Sequence, residues 1–356
     1  MRDFTCPRCG QHLTFENSLC LKCKSRVSFS LRQGSLVTFT DAYRPCANLF
    51  IAECNWVLDA SSATGRAGEL CASCRLTRTR PHHSDAVGMA QFAAAERAKR
   101  RLIAELAMLE LPIIGRDEDP DFGMAFDLLS SAHGKVLTGH ENGVITLDLA
   151  EGDDVHREQL RIAMDEPYRT LLGHFRHETA HAYFHRLVGA SLPRLAQFRA
   201  LFGDPAADYQ AALDRHYNQG APARWKQEFV SSYATMHAAE DWAETFAHYL
   251  HIRDTIDTAG AFGLAPATAA FGQRMPELST FDTLIARWLP LAWSLNMVSR
   301  SMGRGDLYPF ILPTPVLEKM RFIHTVIGEA ARKTSAAGVV NGRSSEDSNP
   351  VGAATT

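Results

Sequence analysis

Apolar residues recur at helical spacing along most of the chain after residue 85. In residues 86–111, Phe92, Leu102, Leu106 and Leu109 follow this spacing within a stretch rich in Ala, Leu, Glu, Lys and Arg, which Pro112 ends. The same periodicity predicts further helices over residues 155–165, 168–188, 192–202, 206–217, 224–235, 239–258, 278–302 and 314–332. The pattern therefore predicts a body that is mainly helical.

Short stretches rich in β-branched and aromatic residues interrupt this pattern and predict strands. Residues 27–31 and 36–40 are β-prone, and residues 135–139 and 144–149 flank a turn at Asn142-Gly143, a strong hairpin signal. We expect an α+β fold with a small cysteine-rich head and a mainly α-helical body that carries a small sheet. The expected parts are residues 1–80 (head), 81–115 (connecting helix), 116–332 (body) and 333–356 (small, polar, disordered tail).

Charge is nearly balanced over the whole chain but unevenly distributed along it. The formal net charge is −3, with +5 in residues 1–80 and −8 in the remainder, so nothing favours attraction of the whole chain to nucleic acid or membranes. No secretory signal or membrane-length apolar run is present, and we expect a cytoplasmic protein. A basic flank follows the last cysteine: Arg75, Arg78, Arg80, Arg97, Lys99, Arg100 and Arg101. Since no aromatic residues are interleaved, a solvated face is expected there, with nucleic-acid binding as the alternative.

All eight cysteines lie between Cys6 and Cys74, in two sets of four. The first set is Cys6, Cys9, Cys20 and Cys23, two Cys-x-x-Cys turns of the zinc-ribbon type. The second set is Cys46, Cys54, Cys71 and Cys74, whose first pair is more widely spaced than in a ribbon. Grouping by fours in a reducing compartment argues for metal over disulfides or redox chemistry. One or two structural zinc ions are therefore predicted in the head.

Residues 177–181 form an HExxH motif within a helical stretch. Residues four apart lie on one helix face, so His177 and His181 can bind one Zn²⁺ ion through their imidazole nitrogens. Glu178 would then lie beside the zinc-bound water and act as its general base. The motif predicts a catalytic zinc in addition to the structural ones.

A catalytic zinc needs a third protein ligand and an open position. A metzincin would supply a third histidine six residues after His181, but position 187 is Leu, which excludes that class. A glutamate from a second helix is the remaining common source. Glu240 and Glu244, which share one face of the predicted helix over residues 239–258 with His248, are the candidates.

The sequence resembles a bacterial zinc-binding metallopeptidase family that carries an N-terminal zinc ribbon. The resemblance rests on the ribbon cysteines and on the stretches GHFRHETAHAYF and EDWAETFAHYLHI, and it extends from about Cys6 to about His324. It implies a gluzincin-like metallopeptidase body. Glu244-Thr-Phe-Ala resembles the third-ligand helix of several gluzincins and favours Glu244 as the ligand. Another gluzincin pattern would make Glu240 the ligand and Glu244 the partner that orients a histidine.

The resemblance and position along the chain also suggest groups around the metal. Tyr233, His237 and Tyr308 are candidates for stabilising an oxyanion, with a structural role as the alternative for each, and His248 is a candidate partner of the ligands. The predicted strand over residues 144–149 lies where zincins usually have an edge strand that pairs with an extended substrate, although an ordinary hairpin strand is an equal alternative.

These observations favour a zinc-dependent metallopeptidase that acts on a peptide or protein substrate. The alternative is a non-catalytic regulatory or binding module whose ribbon engages nucleic acid or protein and whose zincin body is inactive. Glu178 argues for the enzyme, because metal binding alone would not require it.

Overall fold

The computed structural model describes residues 2–59, 68–153, 170–265 and 280–343. Over these ranges the chain begins with small antiparallel hairpins and continues into one four-stranded sheet and seven α-helices, which confirms the predicted α+β class. The predicted helix over residues 155–165 and the end of the predicted tail lie outside the described residues.

The head consists of three two-stranded antiparallel units around the cysteines. Their strands are β1 (Phe4–Thr5) with β2 (His12–Leu13), β3 (Ser28–Ser30) with β4 (Ser35–Val37), and β5 (Tyr43–Pro45) with β6 (Val57–Asp59). Phe4, Phe15, Phe29 and Trp56 pack together with ring centroids 4.8 to 6.3 Å apart. This aromatic cluster gives the head a small apolar core of its own.

A mixed sheet forms one side of the body, with the strand order β7-β8-β10-β9. Its strands are β7 (Thr77–Thr79), β8 (Ala125–Leu129), β9 (Gly139–Glu141) and β10 (Val144–Asp148). Strands β7, β8 and β10 are parallel, and β9 is antiparallel to β10. The predicted turn at Asn142-Gly143 is confirmed, with φ of 47° and 84° as a type I′ turn requires, but the first strand of the hairpin is β9 at Gly139–Glu141 rather than residues 135–139.

Seven helices complete the described body. They are α1 (Ala86–Met108), α2 (Leu171–Phe184), α3 (Leu192–Phe202), α4 (Tyr209–Gln219), α5 (Ala238–Ala261), α6 (Phe281–Ser301) and α7 (Thr314–Arg343). Most bounds agree with the predicted helices to within a few residues, but α7 continues past residue 332, where the sequence analysis ends it. None of the helices in the described residues is long and apolar enough to cross a membrane.

The helix predicted over residues 224–235 is wrong. Only two single 3₁₀ turns form there, Trp225–Gln227 and Tyr233–Thr235. The Ser231 hydroxyl accepts a hydrogen bond from the backbone N–H of Ala234, and the Thr235 hydroxyl donates to the Ser232 carbonyl. Such local bonds compete with the helical ones and leave this segment as a loop beside the cavity described below.

The basic flank after the last cysteine is only in part the solvated face expected from the sequence. Arg75, Arg78 and Arg97 are exposed, but the flank also joins the head to the body. Lys99 and Arg100 are fully buried. The ion pairs are Arg75 with Glu118, Arg78 with Asp127, Arg97 with Glu53, Lys99 with Glu96 and Arg101 with Glu16. Arg100 donates to the carbonyls of Ala52 and Glu53 in the head. Helix α1, which supplies four of these cations, therefore anchors the head rather than serving as a free linker.

Candidate metal centres and catalytic cavity

Helices α2 and α5 pack against each other and carry the two halves of the candidate site. Trp242 on α5 is fully buried and donates its indole N–H to the carbonyl of Ala180 on α2 over 2.9 Å. Phe184, Phe198 and Phe202 surround the same indole ring. Because Ala180 precedes His181 and Trp242 follows Glu240 by two residues, this contact sets which turn of α5 faces the HExxH motif.

Three donor groups converge between these helices. The Nε2 atoms of His177 and His181 lie 3.3 Å apart, and Glu240 places Oε2 3.0 Å from His177 Nε2 and Oε1 3.5 Å from His181 Nε2. Zinc–nitrogen bonds of about 2.0–2.1 Å in a tetrahedral site put two ligand nitrogens about 3.3 Å apart. The spacing of the three groups therefore fits one zinc ion.

Glu244 lies one turn along α5, on the other side of His177. Its Oε1 is 2.7 Å from His177 Nδ1, a contact that would hold a proton on Nδ1 and leave the Nε2 lone pair for a metal ion. Burial acts to raise the pKa of Glu244, but His177 outweighs it and lowers that pKa to about 2. The same competition holds the pKa of Glu240 well below its usual range, because both histidines outweigh its burial. Both carboxylates are thus anions, as a metal ligand and its histidine-orienting partner should be.

The eight cysteines form two groups of four, as the sequence predicts. Sulfur atoms lie 3.6 Å apart for Cys6 and Cys23 and for Cys9 and Cys20, and 3.7 Å apart for Cys54 and Cys71. Zinc–sulfur bonds of about 2.3 Å place tetrahedral sulfurs about 3.8 Å apart, whereas a disulfide requires about 2.05 Å. Both groups therefore have the spacing of zinc sites, and the wider spacing of Cys46 and Cys54 along the chain does not prevent it.

A cavity of about 500 Å³ opens onto the His177, His181 and Glu240 cluster. Glu178 lines it and is 9% exposed, and burial raises the pKa of its carboxyl above the usual value for glutamate. A carboxylate with a raised pKa, adjacent to the donor cluster, is suited to accept a proton from water. The arrangement combines a candidate metal site, a candidate general base and space for a substrate.

Sequence comparisons agree with this geometry. The family described as "Putative zinc-binding metallo-peptidase" matches residues 88–326, and a zinc-ribbon domain family matches residues 3–85. The chain belongs to this zinc-binding metallopeptidase family. The boundary between the two matches falls after β7, close to the predicted head boundary at residue 80.

Relatives of this metallopeptidase family member occur in mycobacteria. The uncharacterized proteins Rv2568c of Mycobacterium tuberculosis and Mb2598c of Mycobacterium bovis are each 64% identical to it over 333 residues, 93% of this chain and 96% of theirs. No solved structure matches the chain significantly.

The two candidate third ligands, Glu240 and Glu244, lie in different positions around His177, and the position that suits a ligand is not that of the preferred Glu244. Glu240, the alternative, faces the Nε2 atoms of both histidines, whereas the preferred Glu244 contacts Nδ1 of His177. Both residues lie on one face of α5, so local spacing could not separate them. The register between α2 and α5 makes the distinction.

The oxyanion and partner candidates lie in three different surroundings. His237 caps the N-terminus of α5, with Nδ1 accepting from the Ala239 N–H and Nε2 near the Ala207 carbonyl, so its role is structural. His248 and Tyr308 bond to each other, Nδ1 to hydroxyl at 2.9 Å, in the cavity wall, and burial lowers the pKa of His248 to about 4. Tyr233 lines the cavity with its ring 6.1 Å from that of His177 and remains the candidate nearest the donor cluster.

The strand that borders the cavity is β9 rather than the predicted strand over residues 144–149. That stretch forms β10, which lies inside the sheet between β8 and β9. Gly139 and His140 of β9 line the cavity, as does Thr138 before them. The expectation of an edge strand at residues 144–149 is therefore wrong. Strand β8, which was not predicted from the sequence, pairs with the side of β10 opposite β9.

Tyr209 is a site residue that the sequence analysis misses. It begins helix α4, lines the cavity and donates its hydroxyl to Glu240 Oε1 over 3.0 Å. Its position 31 residues before Glu240 carries no local spacing signal. Only the folded chain brings the two side chains together.

Proposed function

We propose that this chain is a zinc-dependent metallopeptidase with His177, His181 and Glu240 as the ligands of its catalytic zinc. The observation that carries the proposal is the convergence of two Nε2 atoms and one carboxylate, at 3.0 to 3.5 Å, beside the buried Glu178. Zinc bound there supplies Lewis-acid polarisation of the scissile carbonyl and lowers the pKa of a water molecule to about 7.

Glu178 is the proton carrier of the proposed reaction. Its carboxylate accepts a proton from the attacking water as the new carbon–oxygen bond forms, and then transfers that proton to the leaving amine as the carbon–nitrogen bond breaks. The raised pKa of Glu178 matches both steps, since the group must bind the proton and then release it. Glu244 keeps His177 in the tautomer that this arrangement requires.

The substrate in this proposal is an extended peptide segment. Among the strands in the described parts of the chain, β9 is at the edge of its sheet and borders the cavity. Strand addition to such an edge aligns a peptide through main-chain hydrogen bonds. The proposed alignment would bring a peptide carbonyl past the donor cluster. The cysteine groups in the head hold structural zinc in this proposal, and their free thiols fit a reducing, cytoplasmic setting.

Zinc content tests the metal centre. We expect about three zinc ions per wild-type chain and about two in the folded His177→Ala/His181→Ala double variant, as measured by elemental mass spectrometry, because only the body site loses its ligands. Equal zinc content in the two proteins, unchanged after zinc is added back, would contradict the proposed centre.

A matched pair of variants tests the ligand assignment. Glu240→Ala removes a direct ligand, so we expect its body zinc to be lost on dialysis against a moderate chelator. Glu244→Ala removes only the partner of His177 Nδ1, and we expect it to retain stoichiometric zinc with an affinity about 10–100-fold weaker. The reverse result, with Glu244→Ala empty and Glu240→Ala loaded, would restore Glu244 as the ligand.

A further inference from the structure

Helix α4 contacts the surroundings of the candidate site through its first residue, Tyr209, and through His216, whose ring lies 5.9 Å from that of Tyr233. Of its eleven residues only Ala212 is buried, so the helix has little apolar anchorage. Gly203 and Gly220, on either side of it, have φ of 97° and 72°, which permits sharp changes of chain direction. The position of α4 must therefore depend strongly on the contacts that Tyr209 and the residues before it make.

Three contacts of Ala207 and Tyr209 converge on the start of α5. The Ala207 carbonyl lies 3.1 Å from His237 Nε2, and the Tyr209 ring packs against the His237 ring with centroids 5.3 Å apart. The Tyr209 hydroxyl continues to Glu240 Oε1, at 3.0 Å. Since His237 is the N-cap of α5, Tyr209 and Glu240 are held by one connected set of groups.

The hydroxyl of Tyr209 contacts only one of the two oxygens of Glu240. Oε1 accepts this hydrogen bond and lies 3.5 Å from His181 Nε2, so Oε2, at 3.0 Å from His177 Nε2, is the carboxylate oxygen nearest to a histidine nitrogen. A carboxylate free to rotate would offer either oxygen or both. A hydrogen bond from a neighbouring group to a ligating carboxylate orients it and raises the metal affinity of the site.

We propose that Tyr209 is a positioning residue that holds Glu240 in a one-oxygen binding orientation toward the catalytic zinc and thereby couples the seating of helix α4 to the affinity of the metal site. This inference rests on the proposed function, because it assigns Glu240 to that zinc. Tyr209 acts through Glu240 and takes no part in the chemical steps.

Zinc release to a chromogenic chelator tests the proposal without relying on activity. Tyr209→Phe keeps the ring and removes only the hydroxyl, and we expect it to release the body zinc at least about tenfold faster than the wild type. The phase that belongs to the body site is identified as the one absent from His177→Ala/His181→Ala.

Tyr217→Phe is the matched control, because Tyr217 lies on the same helix, lines the same cavity and is 65% exposed. We expect its zinc release to stay within about twofold of the wild type. A Tyr209→Phe rate within twofold of the wild type would overturn the positioning role while leaving the metal centre intact. Equal acceleration in both variants would also overturn it, because the effect would then belong to α4 in general. Absence of a body zinc phase in the wild type would refute the proposed function and this inference together.

Discussion

Replacing Glu178 by Gln is expected to lower kcat/KM for peptide hydrolysis by about 10²–10⁴-fold, the usual contribution of a general base. Glutamine has nearly the same shape and can still hydrogen-bond water, but it cannot accept a proton. Glu178 is not one of the three grouped donor residues, His177, His181 and Glu240, so the zinc content of the variant should remain at the wild-type value. Hydrolysis of a fluorogenic peptide library and zinc content, measured on the same preparations, check both parts.

The control for this variant is Glu329→Gln, which makes the same chemical change outside the cavity, at a partly exposed residue paired with Arg194. We expect it to retain wild-type kcat/KM. A Glu178→Gln enzyme that is folded, fully loaded with zinc and within twofold of the wild-type rate would remove Glu178 from the mechanism. Loss of zinc from this variant would instead show that Glu178 supports the metal site.

The candidate metal ligands were predictable wherever the ligands of one site lie a few residues apart in the sequence. Four of the cysteines lie in two Cys-x-x-Cys turns of the zinc-ribbon type, and His177 and His181 are one helical turn apart, so each pair is brought together by local structure alone. The Asn142-Gly143 turn is equally local, since its positive φ angles suit these two residues. These features needed no knowledge of how distant segments pack.

Features that depend on long-range packing were not predictable in the same way. The different positions of Glu240 and Glu244 relative to His177 follow from the packing of α5 on α2, to which the hydrogen bond from the Trp242 N–H to the Ala180 carbonyl contributes. The edge position of β9 follows from the pairing of β10 with β8. The arginines of the basic flank are paired although several stay exposed, because their acidic partners, Glu16, Glu53, Glu118 and Asp127, come from far along the chain. A count of charges along the sequence cannot reveal such pairs.

The second cysteine group has a structural role that differs from that of the first. All four of its cysteines are buried, whereas Cys9 and Cys23 of the first group are half-buried. The Cys74 sulfur lies 3.7 Å from Glu96 Oε2 on α1, and Glu96 pairs with the fully buried Lys99 at 2.6 Å. Thr77 of β7 hydrogen-bonds to both of these side chains. Metal at this group would therefore stabilise the head, the first strand of the body sheet and helix α1 together.

Helix α1 also links the second cysteine group to α2, the helix that carries the HExxH motif. Glu105, nine residues after Glu96 on α1, forms a buried ion pair with Arg176 at 3.0 Å, and Arg176 directly precedes His177. Arg176 also pairs with Asp254 on α5 at 2.9 Å, so displacement of Glu105 would remove one of its two carboxylate partners, and losing a partner of a buried charge is destabilising. Displacement of α1 would therefore disturb the residue next to a catalytic ligand, so damage to the second cysteine group should reach the body.

Cys54→Ala is therefore expected to abolish the cooperative thermal unfolding of the body as well as the head. Zinc bound at a four-cysteine site contributes roughly 10–16 kcal/mol, comparable to the whole stability of about 5–15 kcal/mol of a typical domain. Cys9→Ala, in the first group, should lose one zinc but leave the body with a cooperative transition and its HExxH zinc, since that group lies among the small hairpins of the head. Thermal unfolding, limited proteolysis and zinc content on both variants give the comparison. Equal unfolding temperatures for the two variants would show that the second group supports only the head, and that α1 holds the body together without it.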